Sequence, residues 1–171
     1  MKDLLEKLSS YNLFNNFFPG ILFATLVDQI TSYKFLMNDI VVGVFLYYFY
    51  GIIIGRVGSL IIEPLFKRFR IIQFAPYPDF IRASQKDSKI ELLSESNNMY
   101  RTLISVFFCL LILMSFEKLG QHVAFINDHS HLIGAVFLIL LFGISYRKQT
   151  AYIRSRILYL VEKEHIKGEK G

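Results

Sequence analysis

Phe66, Lys67, Arg68, Phe69 and Arg70 interleave cations with aromatic rings, and Phe74, Tyr77, Phe80 and Arg82 continue the pattern. The pairing recurs at Tyr100-Arg101, at Tyr146-Arg147-Lys148 and through Tyr152, Arg154 and Arg156. Cations neutralise phosphates and aromatic faces stack on bases, so these residue types suit a single-stranded nucleic acid or another anionic ligand. The same composition also describes positive charge beside anionic lipid with tyrosines at the membrane interface, and the residues alone favour that plainer reading.

Other chemistry is sparse. Asp128, His129 and His131 have metal-ligating side chains, but they sit in a connection without further well-spaced ligands, so no metal or other cofactor is expected. Cys109 is the single cysteine; flanked by Phe107, Phe108, Leu110 and Leu111, it lacks the cationic neighbour that a nucleophilic thiolate needs. It also excludes an internal disulfide framework, and nothing points to an oxidising compartment. No glycine-rich phosphate loop is present. A catalytic constellation is therefore not expected, and an enzyme acting on lipid is the weakest class.

The elements that must position these groups are apolar helices. Ile40 to Ile62 is 23 residues with one charge, Arg56. At 1.5 Å per residue it reaches about 34 Å, enough to cross a hydrocarbon core. Gly51 and Gly55 form a GxxxG step, and Gly58 extends the small-residue stripe on which another helix packs. Thr102–Phe116 and Leu132–Tyr146 are two further spans near the lower length limit. The weakest span follows Pro19, which suits a first helical turn; a helix over about Phe18 to Phe35 requires partners for Asp28 and Gln29, and a re-entrant segment is the alternative. Lys2 to Tyr11 reads as an interfacial helix with Leu4, Leu5 and Leu8 on one face, and not as a removable signal peptide. Pro76 and Pro78 break the polar section, Ser84–Leu93 has helical spacing, Glu117–His131 is a short loop, and Arg147–Lys167 continues the last span as a helical stalk.

Over half of the 171 residues are hydrophobic (53%), which places the chain outside ordinary soluble proteins. The expected fold is an all-α integral membrane protein with four transmembrane helices and cytosolic helical extensions. It divides into residues 1–62 (interfacial helix and spans one and two), 63–101 (basic, aromatic segment), 102–146 (spans three and four) and 147–171 (basic stalk and tail). Residues 63–101 and the C-terminal segment carry seven lysines and arginines each, whereas the two remaining connections carry Lys34 and Lys118 alone. The positive-inside rule then places both termini and residues 63–101 in the cytoplasm, and the protein in an inner membrane.

The stretches NNFFPG (Asn15–Gly20), GIIIGRVGSLIIEP (Gly51–Pro64) and SESNNMYR (Ser94–Arg101), with the basic stalk after the last span, resemble small membrane effectors of bacterial anti-phage defence. In particular the chain is similar to the membrane effector of Hailong-type systems. That resemblance implies an oligomeric membrane channel that serves abortive infection. It would be held closed by single-stranded DNA oligomers from a companion nucleotidyltransferase and opened when infection removes them. It assigns no ligand residue individually.

The expectation is therefore a homo-oligomer in the lipid bilayer, associated through the glycine-rich second helix and gated at a cytosolic ring. The ring draws on Lys67, Arg68, Arg70, Tyr77, Arg82, Arg101, Arg147, Lys148, Arg154 and Arg156. Arg56 and Asp28, with Gly51, Gly55 and Gly58, are the candidates for pore or interhelix roles; for Arg56, snorkelling to the headgroups is the default. A non-conducting anchor that docks a cytosolic enzyme explains the same charges without a pore.

Overall fold

The computed structural model describes residues 13–168, so the expected helix over Lys2–Tyr11 and the tail with Lys170 lie outside the described residues. These residues are helical and include no strand. α1 (Phe18–Ile30) is preceded by π-helical turns over Leu13–Phe17. α2 runs continuously over Ile40–Arg68, with a π-helical segment at Gly58–Ile62. After it come α3 (Tyr77–Lys86), α4 (Lys89–His122), the short α5 (Ala124–Asp128) and α6 (Ser130–Gly168).

Among the described residues, three helices are long and apolar enough to cross a membrane: α2, α4 and the Ser130–Val161 part of α6. α1 is not a fourth, and it stops at Ile30 instead of running to Phe35. The stop is local chemistry. Thr31 is extended, its hydroxyl donates to the Val27 carbonyl, and the Asp28 carboxylate accepts backbone N–H groups of Phe35 and Leu36. Asp28 thus has the partners a helix through it requires, but they bend the chain back and end the helix. Asp39 then caps α2 by accepting from the Val42 amide at 3.0 Å.

α1 lies antiparallel against α2 at backbone contact. A Cβ on Gly20 would overlap the Tyr47 carbonyl, and one on Gly51 would overlap the Asn16 carbonyl, so only glycine permits this approach. α4 closes the core, in which Phe23, Val27, Ile54, Val106 and Leu110 are buried together.

Two further expectations change. Glu117–His131 is mostly helix, because α4 extends the apolar span at both ends, from Lys89 to His122, with no proline to stop it. The helix expected over Ser84–Leu93 is divided at Asp87 and Ser88, where the Asp87 carboxylate accepts from the Lys89 amide as α4 begins. Pro78 starts α3, its missing N–H being harmless in a first turn. α2 stops after Arg68: Arg70, two residues on, takes a left-handed conformation (φ 56°) while the Ile71 amide reaches back to the Phe66 carbonyl, a helix stop usually given to glycine. The stalk is helical and continuous with the last span, as its periodicity predicts.

Candidate anion-binding junction

The junction begins with a backbone defect. In the π-helical segment the Glu63 N–H bonds the carbonyl five residues back, Gly58. The next donor in that register is residue 64, which is proline and has no N–H, so the Ser59 carbonyl is left without its helical partner. Lys148, from α6, fills the place: its Nζ lies 2.6 Å from the Ser59 carbonyl and 2.8 Å from the Ser59 hydroxyl. A proline in one helix therefore specifies where a lysine of another docks.

Glu63 itself points into the bundle and is buried, with 7% of its surface exposed. Its carboxylate meets Lys67 at 2.9 Å, Arg101 at 2.7 Å and Lys148 at 3.8 Å. One negative charge thus binds three cations drawn from α2, α4 and α6, leaving the cluster with an excess of positive charge. A buried carboxylate is tolerable only with such partners. Two cations also meet aromatic faces, Lys67 over Phe74 at 4.4 Å and Lys148 toward Tyr152 at 5.8 Å.

Beside this cluster a cavity of about 470 Å³ opens between the π-helical turns that precede α1 and helices α2, α4 and α6. Its lining residues include Arg56 and Arg101, the polar Asn15, Asn16, Ser59, Asn98, Thr102 and Gln149, and no aspartate or glutamate. Arg56 makes no ion pair among the described residues. The Arg101 Nε is buried without a hydrogen-bond partner, so this side chain holds donor capacity beyond its bond to Glu63. Arginines with no carboxylate in the lining, beside a cluster whose three cations outnumber its one acid, make a site that fits an anion.

The predicted ring separates into three groups. Lys67, Arg101 and Lys148 are brought together, but around Glu63. Arg68, Arg70, Arg82, Arg147 and Arg154 are exposed, and Tyr77 and Arg156 are half-buried on α3 and the stalk. Arg56, read from sequence as a pore or snorkelling residue, lines the cavity. Of the glycines, Gly51 packs on α1 and Gly58 on α4 beside Ser105 and Arg101, both inside one protomer, whereas a Cβ on Gly55 would meet nothing within 4 Å.

Glu63, Ser59, Asn15, Asn16, Asn98 and Gln149 escaped sequence reasoning. The available signal was Glu63-Pro64 itself, an acid at the edge of an apolar run followed by a residue that must orphan a carbonyl. At the opposite end Asp28 is held ionised: backbone amides of Leu36 and Phe35, then Lys34, keep its carboxyl below the ordinary aspartate range. His129 stacks on Phe125 at 4.3 Å, and the described residues contain no group of three or more His, Cys, Asp and Glu side chains arranged to hold a metal. Among known proteins, no family model, no curated relative and no solved structure matches this chain.

Proposed function

We propose that the protein is an oligomeric inner-membrane channel whose state is set by a phosphate-bearing ligand, of the single-stranded oligonucleotide class, at the cytosolic end of its helices. The observation that carries the reading is the cavity lined by Arg56 and Arg101 and by no carboxylate, next to a cation-rich cluster that ties together all three membrane-length helices. An anion in the cavity draws on Arg101, which Glu63 also holds. Its binding therefore changes how firmly α4 is fixed to α2, and a ligand shifts a conformational equilibrium by its differential affinity for the two arrangements. The exposed Arg68 and Arg70 extend the positive surface toward the rest of a longer chain of phosphates. Three spanning helices are too few to enclose a wide pore, so conduction requires several copies around an axis. A role in anti-phage defence, with a companion nucleotidyltransferase as the source of the ligand, belongs to the same reading and rests on the resemblance of the sequence.

The test is ion flux through liposomes containing the purified protein, with and without a short single-stranded DNA. Flux that the oligonucleotide alters is expected, and Arg56→Gln weakens that response at least about tenfold in apparent affinity, the loss of one charge-assisted contact. A protein that leaks no ions under either condition is a membrane anchor for a cytosolic partner. An unchanged response in Arg56→Gln removes the cavity from the site.

A further inference from the structure

The shared Glu63 carboxylate sets two surfaces at one level. Arg101 of α4 and Lys148 of α6 both bind it, so these two residues mark the same depth in two helices. From there α4, read backwards, and α6, read forwards, run out on the same side of the bundle. Glu95 lies six residues beyond Arg101 and Arg154 six beyond Lys148, each about 9 Å further out; Leu92 and Ile157 lie nine residues beyond, each about 14 Å out.

Among the described residues both surfaces are apolar and uncovered, and the rims named below carry opposite charges. On α6, Lys148, Gln149 and Tyr152 turn toward their own protomer. Ile153, Ile157 and Leu160 form the adjacent stripe at helical spacing and are 41–55% exposed, with Arg154 along the far rim. On α4, Leu92 and Leu93 are 63% and 67% exposed, with Glu91 and Glu95 on one rim and Lys89 one turn further out on the same face. Charges on the same turns keep these side chains out of the hydrocarbon, so lipid does not cover them. Pairing either surface with its own copy would bring like charges together, arginines on arginines or glutamates on glutamates.

We infer that the α4 surface of one protomer docks on the α6 stripe of its neighbour, Leu92 against Ile157 and Glu95 against Arg154. Copies inserted in one membrane are related by an axis along its normal, which preserves depth, so surfaces level within a protomer remain level between protomers. The contact is head-to-tail, and repeated around that axis it closes a ring. The inference rests on the self-association in the proposed function and adds the surfaces that make it.

The experiment uses the full chain with Cys109→Ala. One tagged copy carries Leu92→Cys and a second, differently tagged, carries Ile157→Cys; the two are co-expressed and oxidised in membranes, and the native mass of the unsubstituted protein is measured in mild detergent. The expected result is an oligomer and a disulfide joining the two different tags. Either variant expressed alone gives no cross-linked product. Glu95→Lys or Arg154→Glu lowers the cross-linked yield about threefold, and the two reversals in the same chain restore it, which a folding defect in either single variant does not. An oligomer that joins only like-tagged chains, or none, overturns this contact and leaves the channel reading standing. A monomer overturns both.

Discussion

At one end of the helices a single buried carboxylate, Glu63, gathers side-chain cations from three helices; at the other end Asp28 and Glu117 accept backbone amides of the chain that follows α1. Ser32 donates to Glu117 at 2.7 Å, while Phe35 and Leu36 donate to Asp28. The difference is one of adjustability. A carboxylate satisfied by main-chain N–H groups fixes the course of the backbone and gathers no excess of cations. A carboxylate satisfied by lysine and arginine side chains sits among rotamers that have other partners within reach, and here three cations outnumber the one acid. The Glu63 end is therefore where the proposed anion would have leverage, and the Asp28 end is a fixed clasp.

The largest effect expected from breaking this contrast comes from Glu63→Gln. It leaves Lys67, Arg101 and Lys148 close together without the charge that gathers them, at a cost of about 3 kcal/mol, the scale of an uncompensated buried ion pair. Thermal unfolding in detergent measures the loss, and added phosphate or oligonucleotide restores part of it by supplying the missing charge. A variant as stable as the unsubstituted protein would show that the cluster is not what joins the helices. Lys148→Met is the milder version. It strips the Ser59 carbonyl of the lysine donor while keeping the aliphatic stem, at about 1.5 kcal/mol. Restoring a backbone donor with Pro64→Ala should relieve much of that cost, because residue 64 then has an N–H within reach of the same carbonyl.

How much of this was legible in the sequence follows from the range of each signal. The long apolar runs and the stalk were legible because their signals are local: every residue from Thr102 to Phe116 carries the evidence for its own span, although not for the polar turns by which α4 extends it at both ends. The end of α1 was not. Its stop depends on the Asp28 carboxylate meeting amides seven and eight residues on, a loop closure that leaves no periodic trace. The cations at the ends of the apolar runs were all visible, and three of those expected to converge, Lys67, Arg101 and Lys148, do so. Their common target was not, because Glu63 lies 38 residues from Arg101 and 85 from Lys148, and only the packed bundle makes them neighbours. Glycine spacing marked Gly51 and Gly58 as contact positions, but spacing alone does not say whether the helix received there belongs to the same chain. The overlap of a Gly51 side chain with Asn16 answers that: this contact is internal.

The smallest effect belongs to the clasp, and pH isolates it. Backbone donors hold the Asp28 carboxyl below its ordinary value, so the folded state binds its proton less readily than the unfolded chain does. The sign follows: the contribution to stability is present above the ordinary aspartate value of about 3.9, and it fades as pH falls through the lower folded value. Acid below about pH 4 should therefore loosen the connection after α1. Amide hydrogen exchange at Phe35 and Leu36 reads this directly, with protection present at pH 6 and reduced in acid. Asp28→Asn keeps an acceptor oxygen but loses the charge, so its exchange at these two amides should be faster at pH 6 and insensitive to further acidification. Protection that is the same in both proteins across this range would mean that the connection is held by the Met37 amide on Tyr47 and the Ser32 amide on Glu117, and that Asp28 merely follows it.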